Sequence, residues 1–535
     1  MEVELSDVGQ VNIFLGDVPN YENEQTNASQ SDVISILMEK APYLSSSQLK
    51  LIQAQLQNSS VNDKHSRRWD SDIIQLTLSL WTRSPKTYEQ LLKSGCLVLP
   101  SISTLSRYKN VVEQHAGTNN DVFKWMYMEA CSRNLPKHGY YGGLVLDEMS
   151  IQEDLQIVKK GGQIKLVGFP DIVKSSNGDT SFANHVLQYV FHGFTGFRFP
   201  IAHFPTTQAN APQLYSSFWD IISSLESWGF HVLYVSIDGA STNRSFIKLH
   251  FDGSPGQFDM ATHNPFSDNP VIFLADPSHL FKKIRNNLLK SGPEKWHSRE
   301  LTINGHPIVW KMWIDSYEWD KQHGLSIHHK LGNDHIHPNK ADLMRNHLAE
   351  EVLDSNMLSL MRLYKQNLGH GSSVLEGAVD LLEQTSTLIS IFHDRRPIRD
   401  LTDIRLHQLR TILQWFRKWE ESETRQHLMS WETREDVEFL LSGFCKLAHV
   451  ATQDLKITLT PLYINSDIVE NHFSQQRGLY HGSGANPNYN QYRTATNSII
   501  LGQSTISNKS NASRRNTLQS TGAMPFSHLC KKIKV

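Results

Sequence analysis

The stretch Gly142-Gly143-Leu144-Val145-Leu146-Asp147-Glu148-Met149-Ser150-Ile151 decides the fold. A short apolar run leads into two acids, the pattern of a buried strand that delivers a carboxylate at its end. A second run, His231-Val232-Leu233-Tyr234-Val235-Ser236-Ile237, ends the same way in Asp238, 91 residues after Asp147 (238 − 147). Between them, 164–169 and 186–194 read as strands, and 196–204 as another turning back from the Gly193/Gly196 region. Residues 213–228 read as a helix with Leu214, Phe218, Ile221, Ile222 and Leu225 on one face. Residues 270–275 are one more strand, and Asp276-Pro277-Ser278-His279 leads into an amphipathic helix over 280–289. Strands, a helix, then strand and helix again predict an α/β domain with a mixed central sheet over 138–289.

Further along, the periodicity turns helical. Residues 340–364, 374–392, 401–421 and 433–452 all repeat with helical spacing, so 290–460 reads as a large, mainly helical insertion. The segment 461–505 returns to the core as its final helix and carries Asp467 and Glu470 one turn apart. Before the core, 67–137 reads as a small helical domain. Asp70 or Ser71 caps its first helix, which has Ile73, Ile74, Leu78 and Trp81 as apolar positions. Ser84-Pro85 opens a second, proline being at home in a first turn. Leu99-Pro100-Ser101 breaks the chain, and Ser103 is expected to cap a third helix ending in Arg107-Tyr108-Lys109. Three short helices with tight connections suit a helix-turn-helix unit, or an ordinary packing subdomain. In the first reading Ser103, Arg107 and Lys109 are the DNA-contacting candidates.

Residues 1–66 read as an acidic, largely disordered leader with a short helix around Leu49, Ile52 and Leu56. The first 32 residues hold seven acids and no Lys or Arg. The tail, 506–535, is basic and disordered in composition, and Lys531-Lys532-Ile533-Lys534 is a weak nuclear-import signal.

With 52 basic and 54 acidic residues among 535, the formal charge is −2. That excludes a uniformly basic nucleic-acid binder; DNA affinity would have to come from local patches. Four scattered cysteines without a CxxC pair exclude a disulfide framework and a zinc finger. No apolar run reaches the ~20 residues of a membrane helix, so no membrane is expected among its partners. His328, His329, His335 and His337 cluster around Asp334, but their spacing fits no zinc pattern. Trp415 and Trp419, four apart, suit helix packing better than base stacking.

The acids carry the chemistry. In open α/β sheets ligands bind in the crevice beyond the strand carboxyl ends. A third carboxylate on a later helix would complete a cage for two Mg2+ ions, ~3.5–4 Å apart, that steady the attacking and leaving oxygens of a phosphodiester displacement. Magnesium takes oxygen ligands and keeps waters, so three acids without a histidine suffice. Strand-end aspartates also commonly cap the following turn, and spacing alone does not separate the two roles.

Several segments in order resemble the P element-type DNA transposases and their THAP-type relatives. Asp147-Glu148-Met149-Ser150-Ile151 matches the family's DEMSI-like motif, and Asp238-Gly239-Ala240-Ser241-Thr242-Asn243-Arg244 its DGA-x-x-NR segment. Asp276-Pro277-Ser278-His279-Leu280-Phe281-Lys282-Lys283-Ile284-Arg285-Asn286-Asn287-Leu288 looks like DPPHLLK-x-x-RNNL. Lys330-Leu331 with Asp334-His335-Ile336 is similar to KLT-x-x-HI. Asp467-Ile468-Val469-Glu470-Asn471-His472-Phe473-Ser474 corresponds to QD-x-LEN-x-F-S/G, followed by Gly484-Ala485-Asn486-Pro487-Asn488. The resemblance implies an RNase H-like (retroviral integrase-like) core interrupted by a GTP-binding helical insertion. By that resemblance Asp147, Asp238 and Glu470 are the catalytic, metal-holding acids and Asp467 an auxiliary. It further implies two Mg2+ ions, GTP at Asp276 and Lys282, transposon ends and target DNA as partners, a homo-oligomer and a nuclear location.

The family begins with a zinc-coordinating THAP module, and nothing before Cys96 supplies its cysteines. The expectation is a truncated N-terminus, another DNA-finding segment, or a repurposed protein. The alternative to a transposase is thus a domesticated, non-catalytic DNA-binding or assembly factor.

Overall fold

The structure is a computed structural model that describes residues 30–110, 112–160, 163–172, 181–251, 260–295, 297–322, 326–480 and 486–502. The acidic start of the leader, the basic tail with its lysine run, and Gly484-Ala485 of the last motif lie outside the described residues. The chain divides into two compact units, Met1–Ile73 and Ile74–Val535.

In the first unit, α1 (Gln30–Lys40) is followed by α2 (Ser46–Ser59). Ser45 and Gln48 form a reciprocal capping box that starts α2, with the Ser45 hydroxyl 3.3 Å from the Gln48 N–H and the Gln48 amide oxygen 2.8 Å from the Ser45 N–H. Leu49, Ile52 and Leu56 are half-buried along it, as their spacing predicts. Helix α1 was not expected, because polar and acidic neighbours mask its short apolar run.

Helix α3 (Ser71–Arg83) begins at an aspartate: the Asp70 carboxylate accepts the Asp72 N–H at 2.8 Å. Ser84 and Pro85 start α4 (Pro85–Ser94), and left-handed Gly95 ends it at φ 70°. Helix α5 (Ile102–Lys109) is capped by Ser101 and not by Ser103. A cap needs extended backbone, which Ser101 has, and its hydroxyl accepts the Thr104 N–H at 3.2 Å. Helix α6 (Asn120–Ser132) completes the helical region.

The core is a six-stranded mixed sheet. Its strands are β1 (Tyr141–Ser150), β4 (His185–Gly193), β5 (Arg198–Thr206), β6 (His231–Ile237), β7 (Ala261–His263) and β8 (Pro270–Ala275), in the order β5-β4-β1-β6-β8-β7. The neighbours β1–β6 and β6–β8 are parallel and the rest antiparallel. The strand expected at 164–169 is β3 (Gln163–Val167); it pairs only with β2 (Gln156–Lys160) in a hairpin outside this sheet.

Along β1, alternate residues divide between two layers. Val145 and Met149 pack with Val186 and Val190 against Val469 and Phe473 of α17 (Asp467–Tyr480) and Tyr489 and Tyr492 of α18 (Tyr489–Gly502). On the other side lies α7 (Ala211–Ser227), tied to the sheet by a 2.8 Å hydrogen bond between the Tyr189 and Ser217 hydroxyls. Gly143 is required for close approach: a Cβ there would stand 2.5 Å from the Tyr234 ring. Two more helices follow acids at strand ends, α8 (Ser241–Lys248) after β6 and α9 (Pro277–Leu289) after β8.

The inserted region is helical, apart from the small hairpin β9 (Thr302–Ile303) and β10 (His306–Pro307). It runs through α10 (Lys311–Lys321), α11 (Asn333–Ile336), α12 (Asn346–Glu351), α13 (Ser355–Leu368), α14 (Glu376–Phe392), α15 (Ile404–Ser422) and α16 (Trp431–His449). The single helix expected over 340–364 is broken in two. Asp354 interrupts it, because its carboxylate takes the N–H groups of Asn356 (2.9 Å) and Met357 (3.0 Å) and starts α13 afresh. Helix α16 packs back on β8 and α9, which brings the insertion onto the core. No helix among the described residues is long and apolar enough to cross a membrane.

Candidate active site

Two acids meet because of strand register. The last parallel pair between β1 and β6 is Val145 with Ser236; two residues further along each chain stand Asp147 (145 + 2), still on β1, and Asp238 (236 + 2), just past the end of β6. Asp147 is not at the end of its strand, since β1 continues to Ser150 opposite His185 of β4. It is, however, where the parallel neighbour stops, so the crevice opens beside it. Its parity with Val145 and Met149 turns it toward the layer of α17 and α18.

Glu470 lies in the first turn of α17 in that layer. Asp147 feels the charges of the other two acids. Burial, then the charge of Asp238, then that of Glu470, push the Asp147 carboxyl up to about 7, against His279 and the Glu148 N–H (2.7 Å). Asp238 is held by the Ala240 N–H (3.0 Å) and the Asn243 amide (2.6 Å). Asp467, at the start of α17, is buried, and burial together with Asp276, Glu470 and Glu350 raises its carboxyl well above the usual range.

Asp276 and His279 tie these parts together. One Asp276 oxygen caps α9 by accepting the His279 N–H (2.8 Å) and also meets the His279 Nδ1 (2.8 Å). Its other oxygen accepts the Ser466 N–H (2.7 Å), which anchors the start of α17. Burial opposes ionisation of Asp276, but the bonds from His279 and Ser466 outweigh it and lower its carboxyl below the ordinary value. Burial likewise opposes a charged His279, yet Asp276 raises it overall, and its Nε2 lies 3.9 Å from Glu470. Asp276 thus favours the charged form of His279, whose other ring nitrogen faces Glu470.

A second network holds the Asp238 loop. Arg244, 6% exposed, pairs with Glu435 and Asp436 of α16 and donates to the Gly239 carbonyl (3.2 Å) and the Glu432 carbonyl (2.8 Å). Lys283 of α9 bridges the same two partners, Asp436 (2.5 Å) and the Gly239 carbonyl (3.2 Å). Reading by residue type alone passed over Arg244, His279 and Asp436, and offered Lys283 only as a nucleotide or DNA contact or a solvated position. Arg244, His279 and Lys283 lie inside the quoted motifs; Asp436 lies in none, and its partners are 153 and 192 residues away.

The remaining candidates are spread out. Lys282 is buried on α9. Ser103 and Arg107 are exposed on α5, while Lys109 is half-buried with its ammonium 5.5 Å from the centre of the Trp81 ring. His328 Nε2 donates to the Glu351 backbone carbonyl (2.8 Å) and His335 Nε2 to the Glu351 carboxylate (2.8 Å). The Trp415 and Trp419 rings pack 5.5 Å apart, and the Trp419 indole donates to the Thr302 carbonyl (2.6 Å).

By chemistry the donor set fits magnesium: hard oxygens whose mutual repulsion a cation would relieve. Among the described residues no three His, Cys, Asp or Glu side chains stand close enough to ligate one ion together. The carboxylates would have to draw closer to do so.

Comparison with known proteins bears on the fold of the core. Residues 114–250 match the family model of the TNP-like RNase H N-terminal domain. A curated relative, the Transposable element P transposase of Drosophila melanogaster, is 23% identical over 331 residues, 61% of this chain and 39% of that protein. The chain thus matches well under half of that relative's length. The solved Drosophila P element transposase strand transfer complex superposes with a TM-score of 0.67 at 18% identity, over 90% of this chain and 100% of that one. The core is RNase H-like, and the chain resembles the P element-type transposases.

Proposed function

We propose, from that resemblance and the shared RNase H-like core, that this chain is a P element-like DNA transposase that cuts phosphodiesters and transfers the freed 3′-hydroxyl to target DNA. The observation that carries the reading is the electrostatic coupling of Asp147 with Asp238 and Glu470, three acids from three separate elements. Ordinary turn-capping explains Asp276, but it does not explain why Asp147 is buried within reach of the charges of two other acids.

Asp147, Asp238 and Glu470 would hold two Mg2+ ions, with Asp467 as auxiliary, and bound ions would supply charge at the attacking and leaving oxygens. In the first displacement a water oxygen attacks phosphorus, the bond to the 3′-oxygen breaks, and that oxygen leaves as the 3′-hydroxyl. In the second, this hydroxyl attacks a target phosphodiester and releases a target 3′-hydroxyl. The chain's own part is to hold the acids in register. The Ala240 N–H and Asn243 hold Asp238 in place, and His279 stands 3.9 Å from Glu470.

GTP is suggested by the family alone. Both oxygens of Asp276 already serve the chain and Lys282 is buried, so a nucleotide at these two residues has less support than the DNA chemistry. Exposed Ser103 and Arg107 remain the better DNA contacts on α5. A nuclear location and self-association belong to the same proposal.

The test is cleavage of the element's terminal repeats with Mg2+ by the full chain and by Asp238→Ala. The expected loss is at least ~10³-fold. Equal cleavage by the two would remove the catalytic assignment, and no cleavage by the parent would favour a domesticated, non-catalytic factor.

A further inference from the structure

The helical insertion reaches Glu470 through a residue that lies outside every quoted motif. Asn346, the first residue of α12, is 3% exposed. Its Nδ2 stands 3.5 Å from Oε2 of Glu470, 124 residues away in the chain. The other carboxylate oxygen, Oε1, faces His279 at 3.9 Å. Glu470 thus has a ring from α9 at one oxygen and an amide from α12 at the other. One turn along α12, buried Glu350 meets Nε2 of His393 at 3.4 Å. The charge of Glu350 acts on Asp467, one turn before Glu470 on α17. Two residues a turn apart on α12 therefore act on the two acids a turn apart on α17.

The backbone that carries this amide is fixed. Helix α12 packs on α9, and Arg285 of α9, fully buried, donates Nη2 to the Leu343 carbonyl (2.7 Å) three residues ahead of Asn346. Just before that, Asn339 and Asp342 close a turn. The Asn339 amide oxygen accepts the N–H groups of Ala341 (2.8 Å) and Asp342 (3.1 Å), and the Asp342 carboxylate accepts the Asn339 N–H (3.1 Å). The ion pair of Glu350 with His393 holds the far side of the helix.

Packing alone does not call for an amide here. The Asn346 Oδ1 is buried and finds no hydrogen-bond partner among the described residues. A buried acceptor left without a donor destabilises the fold, and an apolar side chain would avoid that penalty. What only the amide supplies is a donor for the Glu470 carboxylate. Carboxylates that ligate metals are commonly held by such outer hydrogen bonds, whose loss lowers metal affinity or activity about 10–100-fold.

We propose that Asn346 is a positioning residue for Glu470, delivered by the insertion, and that it acts on the reaction only through the Glu470 carboxylate. The inference rests on the DNA-cleaving reading for the role of Glu470; the contact itself does not.

The experiment exchanges donor and acceptor. In metal-free buffer Asn346→Asp, nearly the same in shape, sets two carboxylates against each other, and the full chain should melt a few degrees lower. Glu470→Gln then puts a donor opposite an acceptor again, with the places swapped. It should raise the melting temperature more in the Asn346→Asp chain than in the parent. With Mg2+ and the element's terminal repeats, Asn346→Ala should bind that DNA as tightly as the parent and cut it about 10–100-fold more slowly. An equal effect of Glu470→Gln in both backgrounds would overturn the proposal. So would undiminished cleavage by Asn346→Ala, or a loss of DNA binding as large as its loss of cleavage. A parent that cuts nothing, with the exchange still rescuing the melt, would sink the catalytic reading and leave the contact standing. A cleaving parent without that rescue would sink only the positioning role.

Discussion

Asp147 is where the site's electrostatic cost concentrates. Its carboxyl is pushed up to about 7 by burial and by two other acids, so at neutral pH the fold carries a charge it would shed. Functional sites commonly hold such strain at the expense of stability. Asp147→Asn keeps the shape and removes the charge. In metal-free buffer it should be more stable by on the order of 1–3 kcal/mol, a rise of a few degrees in melting temperature, while losing cleavage. A lower melting temperature would show that the acids do not repel. Asp276 behaves oppositely, being buried with both oxygens bonded. Asp276→Ala strands the Ser466 N–H and the His279 ring, and urea titration should show a loss of about 2–4 kcal/mol.

At the scale of elements, the insertion reaches the loop that carries Asp238 through α16. Asp436 holds both Arg244, which follows Asp238, and Lys283 of α9, and both cations also reach the Gly239 carbonyl. Removing one member of a buried ion network leaves uncompensated charge, so Asp436→Ala should cost ~3–5 kcal/mol. A cycle with Arg244→Met should give a coupling of roughly 1–3 kcal/mol, and values near zero would mean that α16 does not hold the loop. The break before α13 is a smaller case of the same kind. Asp354→Ala removes a cap bonded to two N–H groups and should lower stability by about 1 kcal/mol, measured by thermal melting.

For the whole molecule, acid should act first on the layer that carries Glu470. His192, His203 and His472 are 2%, 2% and 5% exposed, and burial brings each down to about 3. Their rings pack against Tyr463, Tyr489 and Tyr492, between the sheet and its covering helices. Each stays neutral in the folded chain, whereas an unfolded histidine takes a proton below pH ~6.5. As pH falls from there toward 3 the unfolded state binds more protons, and stability drops by about 1.4 kcal/mol per pH unit for each ring. A melting temperature clearly lower at pH 5 than at pH 7 is expected, and His203→Gln should flatten the slope.

Much of this architecture is legible in the sequence, because its signals are local. Alternating apolar runs place β1, β4, β5, β6 and β8, and helical periodicity places α7, α9 and α14 to α16, to within a few residues. The candidate acids are legible because family motifs surround them. Local pattern does not reveal pairing partners, so 164–169 was not read as half of a separate hairpin. It also could not choose Ser101 over Ser103, since a cap depends on backbone angles that both serines can adopt. Only the tertiary structure places Asp147 level with Asp238, brings Glu470 within reach of Asp147, and shows that Asp276 clamps α9 to α17. Those facts rest on register, packing and charge between residues hundreds of positions apart. Coulomb forces and hydrogen bonds act through space, and the order of residues along the chain does not encode them.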